Sequence, residues 1–227
     1  MQLGDATWRE VEAMQGLNLL VVPIGSVEQH GPHLPLDTDT TIAVALANRL
    51  ALVRNDLVVA PAVSYGASGE HAAFPGTLLL NHEVLANLLI ELVRSARAAF
   101  RGVIIVSGHG GNLEALTEVS HRGDAEGDEV LVWSAAVAGG DAHAGRTETS
   151  LMLALAPDRV RLHLAEPGCT DDLSTILPKL RVEGVRPVAS NGVLGDPTGA
   201  DAQEGRELLE MMTTDLATAV AQRWSAP

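Results

Sequence analysis

Four short runs of apolar, largely β-branched residues punctuate the chain, at 19–24, 57–63, 102–107 and 130–137. Each is apolar throughout, the pattern of a strand buried on both faces. Between the runs, apolar residues recur at helical spacing. Residues 40–54 predict a helix that Asp37, Thr38 or Asp39 can cap. Residues 83–100 predict another, with Leu85, Leu88, Leu89, Leu92 and Val93 on one stripe. A third helix opens after Asn112, and a fourth runs from about 147 to 155 and stops before Pro157. The last, 201–223, carries Leu208, Leu209, Met212, Leu216 and Val220. Strands alternating with helices predict an α/β fold whose mostly parallel sheet is covered on both faces. Segment 165–200, rich in Pro and Gly, reads as an excursion over the surface. No repeat or low-complexity linker interrupts the chain, and its 227 residues fit a single domain spanning 1–227.

The polar residues gather where strands end. In open α/β sheets, ligand sites lie at the carboxyl ends of strands. The first cluster is GSVEQHGPHLPLDTD, residues 25–39. Glu28 and His30 are two apart, so an extended backbone points both side chains the same way. Pro32 and Pro35 stiffen the loop, and Asp39 falls at the start of the next helix, where a carboxylate is favoured. A polar loop with a helix cap accounts for Asp37 or Asp39. It does not account for Glu28, His30, His33 and Asp39 together, and imidazole with carboxylate is what zinc and iron accept. The second cluster, VIIVSGHGGN at 103–112, ends a strand at Gly108 and His109. A lone histidine there is as often structural, so its weight comes from the first cluster. The third, GGDAHAGRTETS at 139–150, holds His143 in a small-residue loop and Glu148 in a helix's first turn. Complementing the helix dipole is the plain alternative for Glu148. A fourth stretch, YGASGEHAAFPGT at 65–77, puts Glu70 and His71 in a small-residue loop that reads as a substrate-pocket wall or as support behind the ligands. His82, His121 and His163 read as ordinary.

Glu28, His30, Asp39, His109 and Glu148 supply two nitrogens and three carboxylates. That set suits two ions with one carboxylate bridging. Two metals roughly 3.5–4 Å apart can share a hydroxide that is nucleophilic near neutral pH, which is hydrolytic chemistry. The sequence has no dinucleotide fingerprint, no P-loop and no nucleophile elbow.

Composition trims the alternatives. A formal net charge of −14 opposes binding to nucleic acid or an anionic membrane, and neither partner is expected. Cys169 is the only cysteine, which excludes a disulfide framework and a thiolate zinc site. The first residues carry three acids before Gly16 and lack the basic and apolar regions of a signal peptide. No apolar run approaches the roughly 18 residues of a membrane span. A cytoplasmic protein is therefore expected.

The stretches GSVEQHGPHLPLDTD, SGEHAAFPGT, GHGGN and HAGRTETS, in that order, resemble the creatininase family. The resemblance implies a three-layer α/β/α fold, a binuclear-metal amidohydrolase and a homo-oligomer, expected here as a hexamer or larger. It makes Glu28, His30, Asp39 and His109 metal ligands, with Asp39 as the bridge and Glu148 completing the set. His143 falls on the family's catalytic histidine. The metals implied are iron and zinc, with manganese possible. Family members that act on creatinine carry an acid where this chain has Gly111, and aromatic residues where it has Gly139, Gly140 and Asp141. That departure speaks against creatinine. The stretch VASNGVLGDPTGADAQEG, 188–205, is similar to the mycofactocin-system branch of the family. That branch implies a peptidase acting on a modified ribosomal precursor peptide, from which it releases a C-terminal Val-Tyr dipeptide.

The mechanism so implied has a metal-held hydroxide attack the amide while His143 protonates the leaving amine. His33 is expected to orient a ligand carboxylate, with stabilising its own loop as the alternative. Arg146 is a candidate for the substrate's terminal carboxylate, with a solvated arginine at a helix start as the alternative. Two rival functions remain: a small-molecule amide hydrolase, such as a creatininase or a formamide deformylase, and a non-catalytic oligomeric scaffold. The presence of all five proposed ligands argues against a decayed scaffold. A purely structural metal fits a carboxylate-rich set poorly.

Overall fold

The computed structural model describes residues 1–224. Strand β1 (Leu19–Ile24) lies between β2 (Leu57–Val59) and β3 (Gly102–Ser107), and β4 (Val130–Ser134) lies outside β3. All three pairings are parallel, with Leu19 opposite Leu57 and Gly102, and Val103 opposite Val130.

Strand side chains alternate between two cores, because successive residues point to opposite faces. Leu19, Val21, Ile104 and Val106 face α2 (Thr38–Val53), α5 (Arg146–Leu155) and α7 (Ala202–Arg223). Leu20, Val22, Val103 and Ile105 face α3 (His82–Ala96) and α4 (Leu113–Glu126). Helices on both faces give the three layers and explain why the strands are apolar throughout.

Several expectations needed correction. β2 ends at Val59 instead of 63, because Pro23 of β1 has no N–H to give to Ala60 O and the pairing beyond slips by one residue. The chain still runs beside β1, with Ala60 N bonded to Val21 O and Val63 N to Pro23 O. β4 stops at Ser134 because its partner β3 ends at Ser107. On α3, Leu85, Leu89 and Val93 are buried together with Ala86 and Ile90. Leu88 and Leu92 are 38% and 39% exposed, so the inward face is rotated from the stripe expected. Segment 165–200 is more than a surface excursion. It contains α6 (Leu173–Glu183), which tolerates Pro178 within it. Ile176, Leu180, Val185, Ala189 and Leu194 form a small third core there. Helix α1 (Trp8–Ala13), closed by a Thr7–Glu10 capping box, was not anticipated. No helix among the described residues is long and apolar enough to cross a membrane.

Candidate metal centre

The connections leaving β1 and β3 diverge, because β1 leads to β2 on one side while β3 leads to β4 on the other. That divergence opens a crevice at their carboxyl ends. Two glycines decide what fills it. A Cβ on Gly108 would strike the carbonyl of Asp39, and one on Gly25 would strike the backbone of Thr40. Without those atoms the first turn of α2 docks directly on both strand ends, which sets the Asp39 carboxylate between the two loops.

His30 Nε2 lies 2.9 Å from Asp39 Oδ1, and His109 Nδ1 lies 3.1 Å from Asp39 Oδ2. Ser26 Oγ donates to Asp39 Oδ2 at 2.6 Å. Glu28 Oε2 is 3.2 Å from His109 Nε2, while Glu28 Oε1 is 3.3 Å from His71 Nε2 and 3.7 Å from His143 Nδ1. Glu148 Oε2 is 3.9 Å from His30 Nε2 and 4.0 Å from His143 Nδ1. The structure thus brings Glu28, His30, Asp39, His109, His143 and Glu148 into one buried cluster, from three separated stretches of sequence.

Backbone groups aim these rings. His30 Nδ1 lies 3.1 Å from Glu28 O, and His143 Nε2 lies 2.8 Å from Gln29 O, so two successive carbonyls each take an imidazole N–H. His143 therefore turns its Nδ1 lone pair toward Glu28 and Glu148. Ala144, next in the chain, is fully buried with φ of 51°. A left-handed conformation costs a non-glycine residue about 1–2 kcal/mol. It is held by an N–H donated to Glu148 Oε2 at 2.6 Å, which ties the loop to the first turn of α5.

Glu28 supplies the test of whether metal fits. Its side chain is wholly buried and neither oxygen has a hydrogen-bond partner. A carboxylate so placed is costly unless a cation answers it. Three groups have ligand atoms within 4.8 Å of one another: Glu28, Asp39 and His109; His30, His143 and Glu148; and Glu28, His71 and His143. Donor type, burial and the orphaned carboxylate all fit divalent cations.

The electrostatics are those of a site whose cations are supplied from outside. Burial pushes the Glu28 carboxyl up to about 7, against the opposing pull of His109. Burial likewise raises Glu148. Burial alone would also raise Asp39, but the charge of His30 and the bonds from His109 and His30 hold it well below the usual carboxylate range. Burial lowers His30 and His109, yet Asp39 and Glu28 respectively overcome it and lift each to about 10. Two imidazolium protons thus stand where cations would neutralise the carboxylates, and metal binding would displace them. His143 is held well below its ordinary value, by burial and then by the His30 charge.

The other expected residues are placed differently. His71 is 3% exposed and lies inside the cluster. Glu70 stands at the rim, its Oε1 3.8 Å from His109 Nε2 and 3.9 Å from His71 Nε2. His33 Nε2 meets Thr149 Oγ1 at 2.9 Å and touches no carboxylate. Burial and the His30 charge lower His33 to about 4, so it is a neutral ring that ties the 25–39 loop to α5. Arg146 gives its Nε to both oxygens of Glu204, at 2.9 and 3.0 Å, on the half-exposed start of α5. The sequence reading passed over Gln29 and Ser26. Gln29 sits between two proposed ligands yet is 6% exposed, and a polar residue flanked by Glu28 and His30 was the available signal.

The layered sheet and the carboxylate–imidazole cluster place the chain in the class of metal-dependent α/β hydrolases. It belongs to the creatininase family: the family profile described as creatinine amidohydrolase matches residues 4–220. It is 44% identical over 232 residues to the mycofactocin precursor peptide peptidase of Mycobacterium tuberculosis, covering 98% of this chain and 91% of that one. Its identity to the protein of the same description from Mycolicibacterium smegmatis is 43% over 227 residues, with the same coverage. Among solved structures it superposes on a Zn-Zn type mutant creatininase with a TM-score of 0.81 and 25% identity, and on a manganese creatininase with 0.79 and 25%. Each covers 99% of this chain and 98% of the other.

Proposed function

We propose that the chain is a metal-dependent peptidase that removes the C-terminal Val-Tyr dipeptide from the modified mycofactocin precursor peptide. The observation that carries the hydrolytic part is the Glu28 carboxylate, buried without a partner among histidines and two further carboxylates. The substrate rests on relatives 43–44% identical over 98% of the chain. Glu28, Asp39 and His109 would hold one divalent ion, and His30 and Glu148 a second, with Asp39 shared between them. Bound there, the ions supply a Lewis acid for the amide carbonyl and an acidified water. Iron and zinc are the pair proposed, with manganese as the substitute.

His143 is the residue that moves the proton. Its Nε2 is engaged by Gln29 O, which leaves Nδ1 facing the cluster. As a neutral ring it can accept the proton lost by the attacking water and deliver it to the leaving amine. A cytoplasmic oligomer, a hexamer or larger, is proposed from the family resemblance, and Leu88 and Leu92 on α3 are apolar surface an interface could cover.

One observation weighs against the creatinine reading. A Cβ at Gly111 would meet the His109 ring, the Ala67 carbonyl at 2.5 Å and Glu70 Oε1 at 2.6 Å. The space for an acid at 111 is already taken, in part by Glu70. The formamide reading is separated by product. Mass spectrometry of the enzyme with the modified precursor peptide, with and without chelator, tests the proposal. A chelator-sensitive product shorter by Val-Tyr is expected. An intact peptide with metals bound would return the small amides to consideration.

A further inference from the structure

We infer that the Gln29 side chain fixes the proton of His71 on Nε2, so that His71 is a hydrogen-bond donor positioning the Glu28 carboxylate and not a metal ligand. Gln29 Oε1 accepts from Gly31 N at 2.9 Å, which settles the amide's orientation. Gln29 Nε2 has two hydrogens and three neighbours: Gly192 O at 3.0 Å, His71 Nδ1 at 2.8 Å and His143 Nε2 at 3.1 Å. His143 Nε2 already donates to Gln29 O at 2.8 Å, so it cannot also accept. The two amide hydrogens therefore go to Gly192 O and His71 Nδ1.

With Nδ1 accepting, a neutral His71 ring carries its single proton on Nε2. That N–H lies on the edge of the ring nearest Glu28 Oε1, 3.3 Å away and short of hydrogen-bond alignment, which a rotation of ring or carboxylate would complete. The lone pair a metal would need is on the opposite edge of the ring, occupied by Gln29. Of the three groups with converging ligand atoms, the one containing His71 is thus not a cation site, although its geometry qualifies. The His71 and His143 rings lie tilted at 48° with centroids 4.4 Å apart and present opposite chemistry to Glu28: His71 a proton, His143 a lone pair. Ligand carboxylates are commonly held by such outer hydrogen bonds.

The same amide couples the centre to the segment after α6. Gly192 has φ of +83°, and a Cβ there would collide with the Gln29 amide. Gly192→Ala should therefore disturb the same hydrogen without altering any proposed ligand.

The test is histidine-15N-labelled, zinc-loaded full chain observed through two-bond proton–nitrogen correlations. The His71 pattern is assigned by its loss in His71→Gln. The expected result is a His71 ring protonated at Nε2 with a bare Nδ1. In Gln29→Glu the carboxylate can only accept, and His71 should switch to Nδ1–H. A wild-type His71 protonated at Nδ1, or a His71 Nε2 with the shift of a zinc-bound nitrogen, overturns the inference. A second arm rests on the peptidase reading. Gln29→Glu and His71→Leu should each lower kcat about 10- to 100-fold with KM and two metals per chain retained, the size seen for outer partners of ligands. His71→Gln keeps an N–H near the Nε2 position and should recover most of the loss. Metal lost from both His71 variants would make His71 a ligand and overturn the proposal. Failure of the peptidase reading would leave no peptide turnover in wild type while the tautomer result still stood.

Discussion

The two ends of one sheet bury a carboxylate in opposite ways. At the amino end, Asp56 is 4% exposed just ahead of β2. Arg54 grips it with two bonds, at 2.9 and 2.7 Å, and Arg101, just ahead of β3, adds a third at 2.5 Å. Burial alone would raise its carboxyl, but these arginine bonds hold it below its usual value. At the carboxyl end, Glu28 is more deeply buried and has no arginine or lysine and no hydrogen bond. Burial there wins and the carboxyl rises to about 7. The fold can supply a permanent cation to a buried acid and does so at one end. At the other it supplies only imidazoles, which can surrender their protons to an incoming ion.

The largest expected effect comes from Glu28→Gln. Removing a ligand worth several kcal/mol should lower peptidase activity by on the order of 10³-fold or more. In metal-free protein the same change should stabilise. The folded carboxyl is raised to about 7 while the unfolded one stays near its ordinary value. Unfolded chains therefore lose that proton first as pH rises. The penalty is nearly absent at about pH 4, grows up to pH 7 and is complete at about pH 8. Metal-free Glu28→Gln should melt on the order of 5 °C above metal-free wild type at pH 8, with the gap closing toward about pH 4. Added zinc should raise the wild-type Tm and leave the variant nearly unmoved. Equal Tm values at pH 8 would mean that the His71 and His109 N–H groups already compensate the carboxylate in the metal-free protein.

His143→Ala comes next and separates ligation from proton transfer. Turnover should fall about 10²- to 10⁴-fold, the usual size of a general acid–base contribution, with metal content close to wild type by elemental analysis. Loss of one ion would recast His143 as a ligand through Nδ1, beside His30 and Glu148.

Much of this contrast is legible in the sequence. The four strands and the helices between them followed from apolar runs and helical spacing, because both faces of the sheet are covered. The loop holding Glu28, His30 and Asp39 announced itself by polar residues that no cap or turn required. The sequence was silent where the cause lies in packing between distant segments. Asp39 reaches both loops because Gly25 and Gly108 lack a Cβ, a fact about α2's approach and not about local propensity. His71 looked like a wall because its neighbours are small, yet the third core draws its loop inward through Val185 N and Glu70 O. α6 was obscured by Pro178, which argues against a helix locally while Ile176 and Leu180 are buried against Val185.

At the amino end, Asp56→Asn should show the reverse of Glu28→Gln. It leaves the nearly buried Arg54 without its partner and should cost about 3 kcal/mol of stability, read by denaturant melts. Activity per folded molecule should be unchanged. A variant as stable as wild type would remove the contrast between the two ends.

The smallest effect is expected from Arg146→Ala, the change that a carboxylate-anchoring role would make severe. Its guanidinium is already committed to Glu204, and both side chains are partly exposed, at 50% and 32%. Such pairs contribute below about 1 kcal/mol, so a Tm shift of one or two degrees is the most that should appear. KM for the modified peptide should stay within twofold of wild type, because Nε, one arm of the side-on fork, is already given to both Glu204 oxygens. A tenfold rise in KM at unchanged kcat would show that Glu204 releases the arginine when substrate arrives. Glu204→Gln would then sharpen the result, lowering KM by freeing the fork, whereas a purely structural pair predicts no change in KM from either substitution.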